Sequence, residues 1–244
     1  MAKLYVGTSG WSYRGWVGEF YPAGLDPGEW LEFYVQHFNT VEINATFYRL
    51  PFPGMVESWS RRAPEGFLYA VKGNRRITHL KRLRDVDADL SRFLERIEPL
   101  GAHLGVLLWQ LPPRFPADVA VLEAFLRVLP PGYRHAVEFR DPSWLVGDVW
   151  TCLRRYGVAQ VGVSSLRMPP EMEPTADFAY LRFHGLSGGF AHDYATEELR
   201  PWAERAAAVL AEGGDVFAYF NNDARCRAPK NAREFRELVE KLRD

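Results

Sequence analysis

The chain of 244 residues is 47% hydrophobic and 25% charged, with 30 Lys+Arg against 31 Asp+Glu. This composition excludes a disordered, collagen-like or disulfide-rich chain, and the length suits one large α/β barrel or two small domains. A net charge of −1 gives no bulk reason for nucleic-acid binding, although 25 of the 30 basic residues are arginine, the side chain that grips phosphate and carboxylate with forked donors.

Two cysteines, Cys152 and Cys226, stand far apart with no CxxC spacing, so neither a disulfide framework nor a thiolate zinc site is expected. The opening Met1-Ala2-Lys3-Leu4-Tyr5-Val6-Gly7 lacks the apolar core of a signal peptide. The most apolar run, Val106–Trp109, is far below the roughly 20 residues that span a bilayer. A soluble cytoplasmic protein without membrane partners is the expectation.

Short apolar runs alternate with amphipathic stretches along the chain. Leu4–Thr8 reads as a strand, followed by a loop-rich connection over 13–27 and a helical pattern over Glu29–His37. Val41–Asn44 and Phe67–Lys72 are the next strands. Asp87–Ile97 is helical, with Leu90, Phe93, Leu94 and Ile97 at the i, i+3, i+4 spacing of one buried face. Strand Leu104–Gln110, helix Val119–Leu129, strand His135–Arg140 and helix Val146–Tyr156 follow. Strand Val158–Ser164 leads into 166–175, whose three prolines predict a missing or vestigial helix. Strand Ala179–His184, helix Glu197–Leu210, strand Val216–Asn221 and helix Ala232–Leu242 complete the pattern. No linker, composition break or repeat divides residues 1–244, which read as one domain.

Eight strands alternating with helices over about 240 residues fit a single (β/α)8 TIM-like barrel, irregular around its sixth helix, with a doubly wound open sheet as the alternative. The strand ends decide between them. Glu42 and Asn44, Lys72, Gln110, Glu138 and Arg140, Ser164, Arg182 and His184, and Asn221 with Asn222 all fall at carboxyl ends. An open sheet builds its site from few strands at a switch point, whereas a barrel recruits all eight. Alternation puts Glu42 with Asn44, Glu138 with Arg140, and Arg182 with His184 on shared faces. Ile43, Val137, Phe139, Leu181 and Phe183 are left for the helix-packed side.

Several segments resemble the DUF72 (YecE-like) family: Gly-Thr-Ser-Gly-Trp at 7–11, Phe-Asn-Thr-Val-Glu-Ile-Asn-Ala-Thr-Phe-Tyr at 38–48 and Ile-Thr-His at 77–79. Trp-Gln-Leu-Pro-Pro at 109–113, Ala-Val-Glu-Phe-Arg at 136–140 and Leu-Arg-Phe-His-Gly at 181–185 continue the likeness. Phe-Asn-Asn-Asp at 220–223, followed by Ala228, Asn231 and Ala232, completes it. The resemblance runs in order through essentially the whole chain. It implies a single (β/α)8-like barrel and no settled activity, the family being named for an unknown function. Two departures stand out. Ser164-Ser165 stands where members tend to carry an acid after strand 6, which weakens a metal site that needs it. Cys226 stands where a glycine usually follows Asn-Asn-Asp, which bears on the shape of the eighth loop.

Glu42 and Glu138 are the candidate general acid and base, because carboxylates buried at strand ends exchange protons near neutral pH when their pKa values rise. Their strands are three apart, roughly 14 Å along the wall at about 4.8 Å per strand, a gap that inward-reaching side chains shorten. The structural alternative is an ion-pair network, with Glu42 beside Lys72 and Glu138 with Arg140 or Arg182. Lys72 acts as a Schiff-base amine if desolvated and as an electrostatic partner if paired. His184 joins these three as a candidate catalytic residue. Together with His79 and His192, the two glutamates could also ligate a divalent metal. No HxH or HExxH spacing occurs, however, and the strand-6 acid is absent, so no cofactor is expected. His37, His103 and His135 lie at a helix end and at strand starts and read as structural.

Arg140 and Arg182, with Thr8 and Ser9 in the Gly7–Gly10 loop, suit a bound phosphate or carboxylate. Asn44, Gln110, Asn221 and Asn222 would orient it. The run from Lys72 to Arg84 holds six Lys/Arg and no acid. It sets Arg75, Arg76 and His79 over the active face as an anion-attracting loop, or else is a solvated loop paired with Asp85, Asp87 and Asp89. Gly185-Leu-Ser187-Gly-Gly189 satisfies G-x-S-x-G, but no histidine follows Asp193, so it reads as a flexible loop rather than a nucleophile elbow. The pattern points to a hydrolase, lyase or isomerase acting on a small phosphorylated or carboxylated, sugar-like molecule. A nucleic-acid or nucleotide-binding, repair-type protein using the 72–84 loop is the alternative, and a non-catalytic ligand-binding barrel the third.

Overall fold

A computed structural model describes residues 2–243. Among the described residues the strands are β1 (Leu4–Thr8), β2 (Thr40–Ile43), β3 (Leu68–Lys72), β4 (Leu104–Gln110), β5 (Arg134–Glu138), β6 (Ala159–Ser164), β7 (Phe178–Phe183) and β8 (Asp215–Phe220). They form one eight-stranded sheet in the order β1-β8-β7-β6-β5-β4-β3-β2. That is the sequential order of a (β/α)8 barrel, the expected fold class. A parallel bridge from Ser9 to Glu42 ties the end of β1 to β2. The helices are α1 (Trp30–Tyr34), α2 (Ala45–Tyr48), α3 (Pro53–Arg62), α4 (Asp87–Ile97), α5 (Val119–Val128), α6 (Gly147–Arg155), α7 (Thr196–Ala211) and α8 (Arg227–Arg243). None of them is long and apolar enough to cross a membrane.

Several expected bounds shift, for identifiable reasons. The helix expected over 29–37 is broken into a 3-10 turn, Pro27–Glu29, capped by Asp26, and the short α1. The strand expected to reach Arg140 ends at Glu138, because Asp141 caps a 3-10 turn over Pro142–Trp144 immediately afterwards. Likewise His184, Asn221 and Asn44 lie just past their strands rather than within them. Helix α8 starts before Ala232 because Ala228, Pro229 and Asn231 are already buried in its first turns, where proline is tolerated. Helices α2 and α3 were not expected. The first is four residues long, and the second buries only Val56 and Trp59, too narrow a stripe to register as periodic. The 72–84 run is not all loop, since Arg76–Leu80 forms a π-helical turn. No helix separates β6 from β7, as the prolines predicted.

Two compact units emerge: one comprising residues up to Glu42, Gly162–Met172 and the chain from Asp177, the other comprising Ile43–Val161 and Glu173–Ala176. In the first, β1 and β7 flank β8, with Thr8 and Phe183 both in register with Phe220. One face of these strands carries Tyr5 stacked on Phe217 at 4.6 Å and Tyr180 against Tyr219 at 5.1 Å. The other carries Phe183 stacked on Phe220 at 4.2 Å, with Trp202 of α7 and Phe235 of α8 packed over Phe183. Phe183 therefore takes the helix-packed side that alternation assigns to it. Gly7 is required here: a Cβ would lie 2.1 Å from the Thr40 carbonyl oxygen.

In the second unit, β3, β4 and β5 pair side by side, Lys72 in register with Leu108, and Gln110 with Glu138. Trp109 is buried between Phe93 of α4 and Phe125 of α5. Its indole N–H donates to His135 Nδ1 at 3.2 Å, and His135 Nε2 meets the Pro130 carbonyl at 3.1 Å. Burial pushes the His135 pKa down, which suits the neutral ring this geometry needs. Phe139, just past β5, stacks on Trp144 of the following 3-10 turn at 5.0 Å.

Candidate functional site

The second unit gathers charge at the carboxyl ends of β3 and β5. Lys72 and Glu138 are the last residues of their strands and both are buried, Glu138 completely. Glu138 Oε1 pairs with Arg140 Nε, whose side chain is 21% exposed and so reaches toward solvent. Lys72 Nζ sits 4.4 Å from the centre of the Phe47 ring, a cation–π contact in a sheltered setting. Thr46 Oγ1 donates to the Lys72 carbonyl at 2.6 Å, and Asn74 Nδ2 to the Thr46 carbonyl at 2.9 Å, so α2 is fastened to the end of β3.

His79 meets Phe47 in a T-shaped contact at 4.8 Å, its Nδ1 2.9 Å from Thr78 Oγ1. Burial, with Lys72 and Arg140 nearby, lowers its pKa to about 4, while Glu138 opposes them weakly. The ring is therefore neutral at physiological pH, in a place where a second positive charge would be repelled. Asn44, in the turn between β2 and α2, has a buried Oδ1 that meets no partner among the described residues.

The rest of the basic run divides. Arg75 is exposed beside this group. Arg76 is drawn aside, its Nε donating to Asp89 Oδ1 at 2.7 Å, while Lys81 Nζ takes Asp89 Oδ2 at 2.9 Å. Arg84 pairs with Asp118 at 3.0 Å. Pairing with Asp89 was foreseen; pairing with Asp118, contributed by the N-cap of α5, was not.

A separate network lies in the first unit. Glu42, fully buried, accepts at Oε1 from Ser9 Oγ at 2.9 Å and from Arg182 Nη2 at 2.6 Å, and at Oε2 from Tyr180 OH at 2.7 Å. Three donors aimed at one carboxyl group complement the ionised form. His184 continues the network, Nε2 3.5 Å from Arg182 Nη1 and Nδ1 3.0 Å from the Asn221 amide. Thr8 turns elsewhere: its hydroxyl donates to the Gly10 carbonyl at 2.7 Å and meets Tyr34 OH at 2.9 Å. Asn222 also leaves this group, its Nδ2 donating to the His192 carbonyl and to Asn231 Oδ1, each at 2.8 Å.

Ser9, Glu42, Arg182, His184 and Asn221 are thus joined in one unit, and Lys72, His79, Glu138 and Arg140 are grouped in the other. Phe47 and Tyr180 were missed, because an aromatic residue reads as core. Period-two spacing from Arg182 was the available signal for Tyr180. At the two family departures, Ser164 Oγ meets Tyr194 OH at 2.8 Å. Cys226 has φ +57, following Arg225 at φ +55, the left-handed region in which a glycine would carry no steric cost. Among the described residues no group of three or more His, Cys, Asp or Glu is arranged to hold a metal ion.

A family model described as "Protein of unknown function DUF72" matches residues 5–244. The chain is 35% identical to the UPF0759 protein YecE of Escherichia coli (strain K12) over 163 residues, covering 66% of this chain and 57% of YecE. The match therefore spans less than two thirds of that relative's length. The UPF0759 protein YunF of Bacillus subtilis (strain 168) is 25% identical, over 97% of this chain and 95% of YunF. The crystal structure of a DUF72 family protein from Thermotoga maritima MSB8 superposes with a TM-score of 0.88 at 32% identity, covering 98% of this chain and 99% of that one. The chain belongs to the DUF72 family.

Proposed function

We propose that the protein is an enzyme, a hydrolase, lyase or isomerase, acting on a small anionic, phosphorylated or carboxylated, sugar-like substrate at the carboxyl ends of β3 and β5. One observation carries this reading: two cations, Lys72 and Arg140, stand with a wholly buried Glu138 and a histidine kept neutral down to about pH 4. Lys72 and Arg140 draw in the anionic group. Arg140 then exchanges its contact with Glu138 for the substrate, and Glu138 is freed to transfer a proton. Neutral His79 donates a hydrogen bond to oxygen as negative charge develops on it, which an imidazolium would do at the cost of losing its proton. The unpartnered Asn44 carbonyl suits a substrate hydroxyl, and Phe47 shields the Lys72 ammonium from water.

Proton transfer is assigned to Glu138 alone. Glu42, held by three donors, acts as a fixed anion that orients Arg182 and His184. A nucleic-acid partner is the weaker reading, since Arg76, Lys81 and Arg84 already carry acidic partners. The free thiols of Cys152 and Cys226 support a reducing compartment, and the proposal places the protein in the cytoplasm.

Incubation with a panel of sugar phosphates and sugar acids, followed by NMR, tests the proposal. One member is expected to be converted, and Glu138→Gln should slow that conversion by about 10²–10⁴-fold while still melting cooperatively. A folded variant with full activity, or one that no longer folds, would make the carboxylate structural instead.

A further inference from the structure

We propose that the loop between β7 and α7 carries a second, serine-based site that cleaves carboxylic esters, with Ser187 as nucleophile, His192 as general base and Glu198 as the acid that orients the histidine. It uses none of the residues assigned to the Glu138 site and stands or falls independently of it.

The loop is built to bring these three together. Gly185 has φ +83, and a Cβ there would lie 1.8 Å from the Gly189 carbonyl oxygen, so the turn closes only around glycine. A 3-10 turn over Gly189–Ala191 then folds the chain back. Ser187 Oγ comes to 3.3 Å from His192 Nδ1, and His192 Nε2 lies 2.9 Å from Glu198 Oε2. Glu198 is itself fixed, since the same oxygen accepts from the Ala195 N–H at 2.8 Å in the first turn of α7. His192 is 9% exposed, edge-on to Tyr194 at 4.7 Å, with its carbonyl held by Asn222.

The chemistry follows from these partners. An ionised carboxylate only accepts, so His192 Nε2 carries the ring proton and Nδ1 presents its lone pair to the serine hydroxyl. The nitrogen facing the serine can thus accept its proton, with the two ring nitrogens in the reverse of their roles in the Ser-His-Asp triad. Ser187 is exposed and open to substrate. The N–H of Gly188, the residue after the nucleophile, has no acceptor among the described residues and is available to a developing oxyanion. Ser187 Oγ would attack the ester carbonyl carbon as Nδ1 takes its proton. Collapse of the tetrahedral intermediate breaks the bond to the alkoxide, which leaves as the alcohol with that proton. A water deprotonated by His192 then cleaves the acyl-serine, releasing the carboxylic acid and restoring the hydroxyl.

The chain order Ser187–His192–Glu198 explains why the G-x-S-x-G match looked empty, as the histidine precedes the acid. The test is covalent labelling of the whole protein with an alkyl fluorophosphonate, the adduct located by peptide mass spectrometry, alongside p-nitrophenyl acetate hydrolysis. A phosphonylated Ser187 is expected, absent from Ser187→Ala and formed about 10²-fold or more slowly in His192→Gln. Glu198→Gln, which keeps an oxygen to cap α7, should also slow labelling. No adduct at Ser187 in the folded wild type, or equal rates in wild type and His192→Gln, would overturn the proposal.

Discussion

A neutral imidazole beside Lys72 and Arg140 leaves a thermodynamic signature of its own. His79 titrates near 6.5 in an unfolded chain but near 4 in the fold, so between those values the unfolded state binds more protons. Stability is then whole above about pH 6.5 and drains away as the pH falls toward 4. Urea unfolding of wild type and His79→Gln across that window is expected to show a shallower loss in the variant; parallel curves would mean the ring is already solvated. Buried charge at strand ends is also what made Glu42, Lys72, Glu138 and Arg182 recognisable in the sequence, since such residues are costly anywhere else. Phe47 and Tyr180 could not be recognised that way, because their contribution depends on what the ring or hydroxyl faces. Ser187, His192 and Glu198 become a group only through a glycine turn whose closure no spacing rule encodes.

Among the elements, the strands were readable as short apolar runs that turn polar at their carboxyl ends, and α4 because Leu90, Phe93 and Ile97 form one buried stripe. Helices α2 and α3 escaped for lack of such a stripe, yet α2 carries the Thr46 and Phe47 contacts that hold and cover Lys72. The turn after β3 depends equally on close packing. A Cβ on Gly73 would lie 2.3 Å from Cε3 of the buried Trp109 ring, and Gly73 N–H donates to the Leu108 carbonyl at 2.8 Å. Gly73→Ala is therefore expected to cost roughly 1–3 kcal/mol through overpacking, together with a shift in tryptophan fluorescence. An unchanged denaturation midpoint would show that Trp109 has room to move.

For the molecule as a whole, eight strands in sequential order were apparent from length and alternation, while near-neutral net charge concealed how the charges are distributed. The average of −1 combines a carboxylate held by three donors at Glu42, ion pairs at Asp89 and Asp118, and a cationic group at Lys72 and Arg140. The last of these, with Lys72 buried and Arg140 21% exposed, is the group for which anion binding is proposed. The most direct test is thermal unfolding of wild type and Lys72→Met over a range of inorganic phosphate at constant ionic strength. A ligand that binds only the folded state raises the melting temperature with its concentration. Phosphate should therefore raise that of the wild type and leave that of Lys72→Met nearly still, whereas equal shifts in both proteins, or none in either, would contradict an anion site at the end of β3.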